Sequence, residues 1–309
     1  FQEVKCQRSK MTRDMAIVPG YDAYFSFSKV KLGYSGVCIY VKQDIVRPVC
    51  CYEGITGLLD QKPCMNEFLA TLQTPAEQLD AEGRCLILDF QSLVLLNIYF
   101  PNLNNDDRLE FVMDYYACVR KRIDIHLAEG KEVVLVGDIN AVHEELDHCD
   151  PLSGGLDDFK DLPNRRWLDA LIAPRGPLID TTRYHHPDRP KMFTCWNTKM
   201  NARPANFGTR IDYILVSNGI KHLFSDIQPN IMGSDHCPVY ADLHLQLNHS
   251  CPKPSALLTT QWPEFSQKKI SSYFTKSTLN KELHRVTKTS KLESNKKKVS
   301  QVVLNEKQV

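Results

Sequence analysis

Gly137-Asp138-Ile139-Asn140 follows directly on the apolar run Val133-Val134-Leu135-Val136, so a buried strand brings a carboxylate and a carboxamide, two residues apart, to its carboxyl end. Side chains two apart on a strand point the same way. Asp138 is then a candidate to orient or deprotonate a water. Asn140 is a candidate to position that water or a phosphate oxygen, a division of labour suited to phosphodiester hydrolysis. The same residues also suit an Asx turn that simply caps the strand.

Ser234-Asp235-His236-Cys237-Pro238 sets an acid beside an imidazole just before the last apolar run. Asp235 is a candidate ligand for a divalent cation, and His236 a candidate to stabilise charge on a phosphate. A surface hydrogen-bonded couple is the plainer alternative. Such an imidazole needs an orienting carboxylate on its other nitrogen. Asp212 in Arg210-Ile211-Asp212-Tyr213 offers one, at the head of an apolar strand where a charge is costly unless paired. Tyr99, ending Leu93 to Tyr99, can place a phenol on a phosphate oxygen or lie in the core. Glu3 is a candidate Mg²⁺ ligand of the hard-oxygen kind that phosphate chemistry favours.

The elements that must carry these groups are short β-rich runs at Val37 to Val41, Arg84 to Leu88, Leu93 to Tyr99, Val133 to Val136, Ile211 to Val216 and Val239 to Leu247. They are apolar on alternate or all positions, as half-buried and buried strands are. Helical spacing predicts helices over Arg108 to Leu127 and Arg165 to Ile172. Strands in groups with interspersed helices imply a layered α/β sandwich. The 309 residues, 42% hydrophobic and 24% charged, suffice for one large domain and an appendage. Eleven scattered cysteines, without a C-x-x-C pair or zinc-finger spacing, read as reduced thiols of a cytosolic, nuclear or mitochondrial protein. Neither a membrane-spanning run nor a signal peptide is evident.

Charge is unevenly placed. From residue 267 onward there are eleven Lys/Arg against three Asp/Glu, a surplus of +8, which leaves −7 of the net +1 on residues 1–266. After Leu247, Pro252, Pro254 and Pro263 break periodicity and the chain turns rich in Lys, Ser, Thr and Asn, so order is expected to end near Ser250. Within this stretch Gln267-Lys268-Lys269-Ile270-Ser271-Ser272-Tyr273-Phe274 has the Q-x-x-aliphatic-x-x-aromatic-aromatic form of a sliding-clamp box. One helical turn would present Ile270, Tyr273 and Phe274 to a groove while Gln267 fills a polar pocket. Lys296-Lys297-Lys298 can attract phosphate, serve nuclear import or simply be solvated.

In order along the chain, Gln2-Glu3, Tyr99, Gly137 to Asn140, Arg210 to Tyr213 and Ser234 to His236 resemble the motifs of the exonuclease-endonuclease-phosphatase superfamily. Its members carry Q-E for the metal, a Tyr before a Pro loop, G-D-[LF]-N, R-[LI]-D-Y and S-D-H. Lys5 matches the Lys of the family's L-Q-E-T-K, with Phe1 and Val4 in place of its Leu and Thr. Gly33 to Val37, Asp180 to Arg183 with His186-Pro187, Phe193 to Trp196 and Asn201 to Arg203 resemble the AP-endonuclease branch. Thr209 stands where that branch's major member carries a tryptophan lining its abasic pocket, so a looser grip on an extrahelical sugar is expected.

The resemblance implies a four-layer α/β sandwich of the deoxyribonuclease-I type over residues 1–248 and a disordered basic tail over 249–309 with the clamp box at 267–274. It implies catalytic roles for Tyr99, Asp138, Asn140, Asp212 and His236. Mg²⁺, replaceable by Mn²⁺, is expected on a set drawn from Glu3, Asp138, Asn140, Asp235 and His236, and Trp196, Asn201 and Arg203 are expected on the substrate side. The expected partners are abasic or 3′-blocked duplex DNA and the sliding clamp PCNA. The expected compartment is the nucleus, with mitochondrion and cytoplasm as further ones. The family's first strand and its Asn motif, and a zinc-binding carboxy-terminal domain, are expected to be missing, so an inactive clamp-binding form is a second expectation. A sugar- or lipid-phosphate phosphatase is a third, disfavoured by the branch-specific loops and the clamp box.

Overall fold

The computed structural model describes residues 1–58, 65–103, 108–152, 159–245, 247 and 255–266. In chain order the strands are β1 (Tyr21–Ser26), β2 (Val37–Lys42), β3 (Cys50–Glu53), β4 (Cys85–Asp89), β5 (Leu93–Tyr99), β6 (Glu132–Asp138), β7 (Leu178–Asp180), β8 (Cys195–Trp196), β9 (Gly208–Thr209), β10 (Asp212–Ser217), β11 (Lys221–Ile227) and β12 (Val239–His244). The helices are α1 (Arg13–Ala16), α2 (Asn66–Leu69), α3 (Ala76–Asp80), α4 (Leu109–Ala128), α5 (Pro163–Leu171), α6 (Thr181–His185) and α7 (Pro263–Ser266). The chain divides into a body, residues 1–262, and a second unit, residues 263–309, of which α7 is the described part.

The most apolar runs lie in a six-stranded sheet of order β3-β4-β5-β6-β10-β7. Its β5–β6 pair is parallel, with α4 in the connection, and the others are antiparallel. Successive strand side chains face opposite sides, and here both sides are buried. Ile87, Leu96, Leu135 and Leu215 enter one core with Val112, Tyr116 and Val119 of α4 and Leu168 of α5. Leu86, Leu88, Val134, Ile214 and Val216 enter a second core with Tyr24 of β1 and Val37 and Ile39 of β2. The α/β sandwich expected from the sequence is thus realised, with helices over one face of the sheet and the β1–β2 hairpin over the other.

Several strands went unforeseen for physical reasons. β11 alternates poorly because most of its residues touch solvent, β1 is buried at nearly every position, and β8 and β9 are two residues each. A larger correction concerns residues 255–262, which fall in the stretch expected to be disordered. Leu258 bridges to Tyr24, the Thr259 hydroxyl donates to the Ala16 carbonyl at 2.6 Å, and Trp262 is 3% exposed against Phe25 and Phe27 with the Arg8 guanidinium 4.3 Å over its ring. Apolar burial outweighs the prolines that broke the pattern. The clamp box 267–274 lies outside the described residues. The nine described cysteines are free, and no described helix is long and apolar enough to cross a membrane.

Candidate active site

Strand register sets three expected residues in one row. Tyr99 stands opposite Asp138 in the β5–β6 pair and Asp138 opposite Asp212 in the β6–β10 pair. Partners in register lie on one face, so all three side chains leave neighbouring strand ends together. Gly137 makes this possible: a Cβ there would stand 1.9 Å from the Ile98 carbonyl oxygen, and its φ of +145° is open to glycine alone at little cost.

β6 ends at Asp138, which corrects the expectation that Asp138 and Asn140 point the same way. Asn140 is left-handed, with φ +53°, and its backbone N–H donates to Asp138 Oδ1 at 2.8 Å, an Asx turn. Its carboxamide donates to the Phe100 carbonyl at 2.9 Å and accepts from Asn102 at 3.3 Å. Asn140 therefore fastens the loops around Asp138.

His236 closes the site. Its Nδ1 lies 2.8 Å from Asp212 Oδ2, and its Nε2 lies 4.0 Å from Asp138 Oδ2. Burial alone would lower this imidazole, but hydrogen bonds to Asp212 and Cys195 and the charges of Asp212 and Asp138 outweigh it and push it up to about 12. Asp138 is held well above the usual carboxylate range, first by burial and then by the Asp212 charge, against the pull of His236. Tyr99 is raised by burial and by its hydrogen bond to Glu3, so its phenol stays protonated.

Glu3, Asp138, Asp212, Asp235 and His236 line one cavity of about 690 Å³. Ligand atoms of Asp138, Asp212 and His236 all lie within 4.8 Å of one another. The donors are hard oxygens with negative charge in excess, which suits Mg²⁺ or Mn²⁺. Glu3, which is bonded to Lys5 and Tyr99, and the exposed Asp235 bring further carboxylate oxygens to the cavity. His236, charged and with Nδ1 held by Asp212, is poorly suited to ligate a metal and well suited to meet a phosphate oxygen. His143, Glu144 and Asp169 also converge, but Lys160 and Arg175 already neutralise them.

Of the residues expected on the substrate side, Trp196 is buried, Asn201 sits exposed in a left-handed turn, and Arg203 donates to four backbone carbonyls between Pro229 and His236. Two further features escaped sequence reasoning. Thr194, wholly buried, accepts the backbone N–H groups of Ile211 and Asp212 on its hydroxyl at 3.1 and 3.2 Å, while its carbonyl accepts that of Cys237 at 2.8 Å. One threonine thus ties both sides of the Asp212–His236 pair. Behind it, buried Arg210 is bonded to Asp147 through two nitrogens at 2.8 Å each and to Asp180 at 2.7 Å, and Arg183 also binds Asp147. Burial would raise the Asp147 carboxyl, but Arg210 and Arg183 hold it below the usual range. Asp180 and Arg183, in a segment that resembles the AP-endonuclease branch, are therefore engaged in the interior; Asp147 has no local sequence signal at all.

The model for the endonuclease/exonuclease/phosphatase family matches residues 1–236. A crystal structure of the Xenopus laevis APE2 catalytic domain superposes with a TM-score of 0.76 at 34% identity, covering 86% of this chain and 89% of that one. DNA-(apurinic or apyrimidinic site) endonuclease 2 of Schizosaccharomyces pombe is 38% identical over 265 residues, 78% of this chain and 50% of the relative. The Homo sapiens protein of the same name is 35% identical over 297 residues, 86% of this chain and 56% of the relative. The chain spans about half the length of the curated relatives it matches.

Proposed function

We propose, from the premise that the chain belongs to the endonuclease/exonuclease/phosphatase family, that it is a DNA repair nuclease. It hydrolyses phosphodiester bonds at abasic sites and 3′ ends, as AP endonuclease, 3′-phosphodiesterase and 3′-5′ exonuclease. The observation that carries the reading is the convergence of Asp138, Asp212 and His236 in one acidic cavity, with Tyr99 in register beside Asp138, on a chain similar to proteins named for apurinic-site cleavage.

Asp138, its carboxyl raised by burial and by Asp212, accepts the proton of the attacking water as that water's oxygen bonds to phosphorus and the bond to the leaving oxygen breaks. His236, held as imidazolium by Asp212, donates to a phosphate oxygen where charge develops, and the protonated Tyr99 donates to another. Asn140 fixes the Asp138 turn. Glu3 and Asp235 would hold Mg²⁺, which supplies Lewis-acid neutralisation of the phosphate when bound.

The clamp box at 267–274 recruits the enzyme to PCNA, with Ile270, Tyr273 and Phe274 as anchors and Gln267 as the polar plug. We read the place of work as the nucleus, with mitochondrion and cytoplasm as further compartments, because the substrate is DNA and the tail is basic. The test is a Mg²⁺-dependent assay of the chain on abasic and 3′-blocked duplexes and on an inositol phosphate, with Asp138→Asn and with Tyr273→Ala/Phe274→Ala. Duplex cleavage lost in the first variant, and clamp binding lost in the second at unchanged basal cleavage, is expected. Cleavage of the inositol phosphate alone would overturn the substrate reading.

A further inference from the structure

The Arg203 guanidinium spans the loop that carries Asp235 and His236. Its Nη2 donates to the carbonyls of Pro229 at 3.0 Å and Ile231 at 2.7 Å, and its Nη1 to those of Ser234 at 2.8 Å and His236 at 3.4 Å. The guanidinium carbon lies 4.5 Å from the centre of the Trp196 ring. That ring is buried and itself fixed, with its Nε1 donating to Asn206 Oδ1 at 3.0 Å. The Trp196 backbone N–H donates to the Asp235 carbonyl at 3.0 Å.

The exposed arm of this loop that leads to Asp235 has little else to hold it. Residues 230–235 are exposed, Ile231 and Met232 bury no face in a core, and a Cβ built on Gly233 would meet nothing within 4 Å. At its carboxyl end the loop is tied to the body by the Cys237 N–H to the Thr194 carbonyl and by His236 to Asp212, whereas the other restraints on its exposed part are local, such as the Ile231 N–H to the Gln228 carbonyl and the Ser234 hydroxyl accepting the His236 N–H. A planar fork of donors can meet carbonyls on both arms of a loop at once, which an ammonium, with its donors on one atom, does less well.

We infer that Arg203 is a positioning residue for Asp235 and His236, acting through the carbonyls of their loop rather than by contact with DNA. The inference rests on the nuclease reading above and departs from the substrate-side role that the sequence suggested for this arginine. Its two terminal nitrogens are committed to four carbonyls and its Nε is buried, so a phosphate would have to displace bonds that shape the site.

The two roles separate experimentally. The full chain is compared with Arg203→Gln and Arg203→Lys for kcat on an abasic duplex, for duplex Kd at three salt concentrations, and for binding of Mn²⁺ alone followed by electron paramagnetic resonance. A positioning role gives a kcat lowered about 100-fold in Arg203→Gln, the effect expected of an ångström-scale displacement. Duplex Kd and its salt slope stay within twofold, and Mn²⁺ binds several-fold more weakly because Asp235 is displaced. Arg203→Lys, which keeps the charge and folds with less disturbance, shows an intermediate loss of kcat. A tenfold weaker duplex Kd with a shallower salt slope and unchanged kcat would mark a phosphate contact and overturn the inference. Wild-type kcat in Arg203→Lys together with wild-type Mn²⁺ affinity in both variants also overturns it. Were the parent chain inactive on DNA, the proposed function would fail, while the Mn²⁺ titration would still decide the role of Arg203.

Discussion

The imidazole of His236 is held by Asp212 through an Nδ1 to Oδ2 bond of 2.8 Å. That bond, with the charges around it, pushes the ring up to about 12. A group raised on folding keeps its proton until pH passes the raised value, so the imidazolium persists across the neutral and mildly alkaline range. Asp212→Asn removes the charge, and the ring should then titrate much nearer the ordinary histidine value of about 6.5. The expected result is a 10²- to 10⁴-fold loss of kcat, with residual activity falling as pH rises through the neutral range. Nuclear magnetic resonance of the His236 ring in both proteins checks it; an unchanged titration in the variant would refute the coupling.

Thr194 supplies the acceptor for two buried backbone N–H groups, one of them that of Asp212. Thr194→Val keeps the shape and removes the acceptor, which should cost about 1–3 kcal/mol for each donor left without a partner and lower kcat through a displaced Asp212. Thr194→Ser should restore both. Urea unfolding and single-turnover rates measure the two effects, and a valine variant as stable and as fast as the parent would contradict this role.

Much of the site was legible because its chemistry is local in sequence. Asp138, Asp212 and His236 each end or precede an apolar run, and a charge at such a place needs a partner. Register then did the rest: Tyr99, Asp138 and Asp212 share a row that no spacing along the chain reveals, since their strands are joined by long connections. Asn140 misled because alternation was extended one residue beyond the strand's end. Thr194 and Asp147 were invisible, since a buried threonine and a loop aspartate acquire their partners only when distant segments meet. Trp262 was hidden by the prolines on either side of its segment.

Arg210, wholly buried, balances Asp147 and Asp180. Arg210→Met leaves two carboxylates short of charge in the interior, and stability should fall by about 3–5 kcal/mol. Arg210→Met combined with Asp180→Asn should be less unstable than the sum of the two single changes, because the second removes a charge that the first has stranded. Additive losses in a double-mutant cycle would show that the pair is not coupled.

Trp262 packs on Phe25 and Phe27 and lines no part of the catalytic cavity. Trp262→Ala should cost about 3–5 kcal/mol, in the manner of other large-to-small changes in a core, and leave kcat unchanged at temperatures where the body is folded. Loss of this anchor should also free residues 255–262 from the body, so limited proteolysis there should quicken. Equal rates of cleavage in parent and variant would mean that the packing of residues 255–262 contributes nothing to holding this segment.

His126 is 1% exposed on α4, with its Nδ1 3.4 Å from the Glu129 carboxylate. Burial, then the neighbouring Arg122 charge, lower the ring to about 4 against the partial pull of Glu129. In the unfolded chain it titrates near the ordinary value of about 6.5, so between these limits the unfolded state binds the extra proton. The histidine's contribution is therefore fully present above pH 6.5 and lost as pH falls toward 4, a total on the order of 3 kcal/mol. Replacing it with phenylalanine removes the titrating group and should flatten the stability profile over this window. Urea midpoints at pH 7.5, 6 and 5 give the comparison. Because carboxylates titrate equally in parent and variant, the difference between the two curves belongs to His126, and parallel curves would exclude it as a source of acid sensitivity.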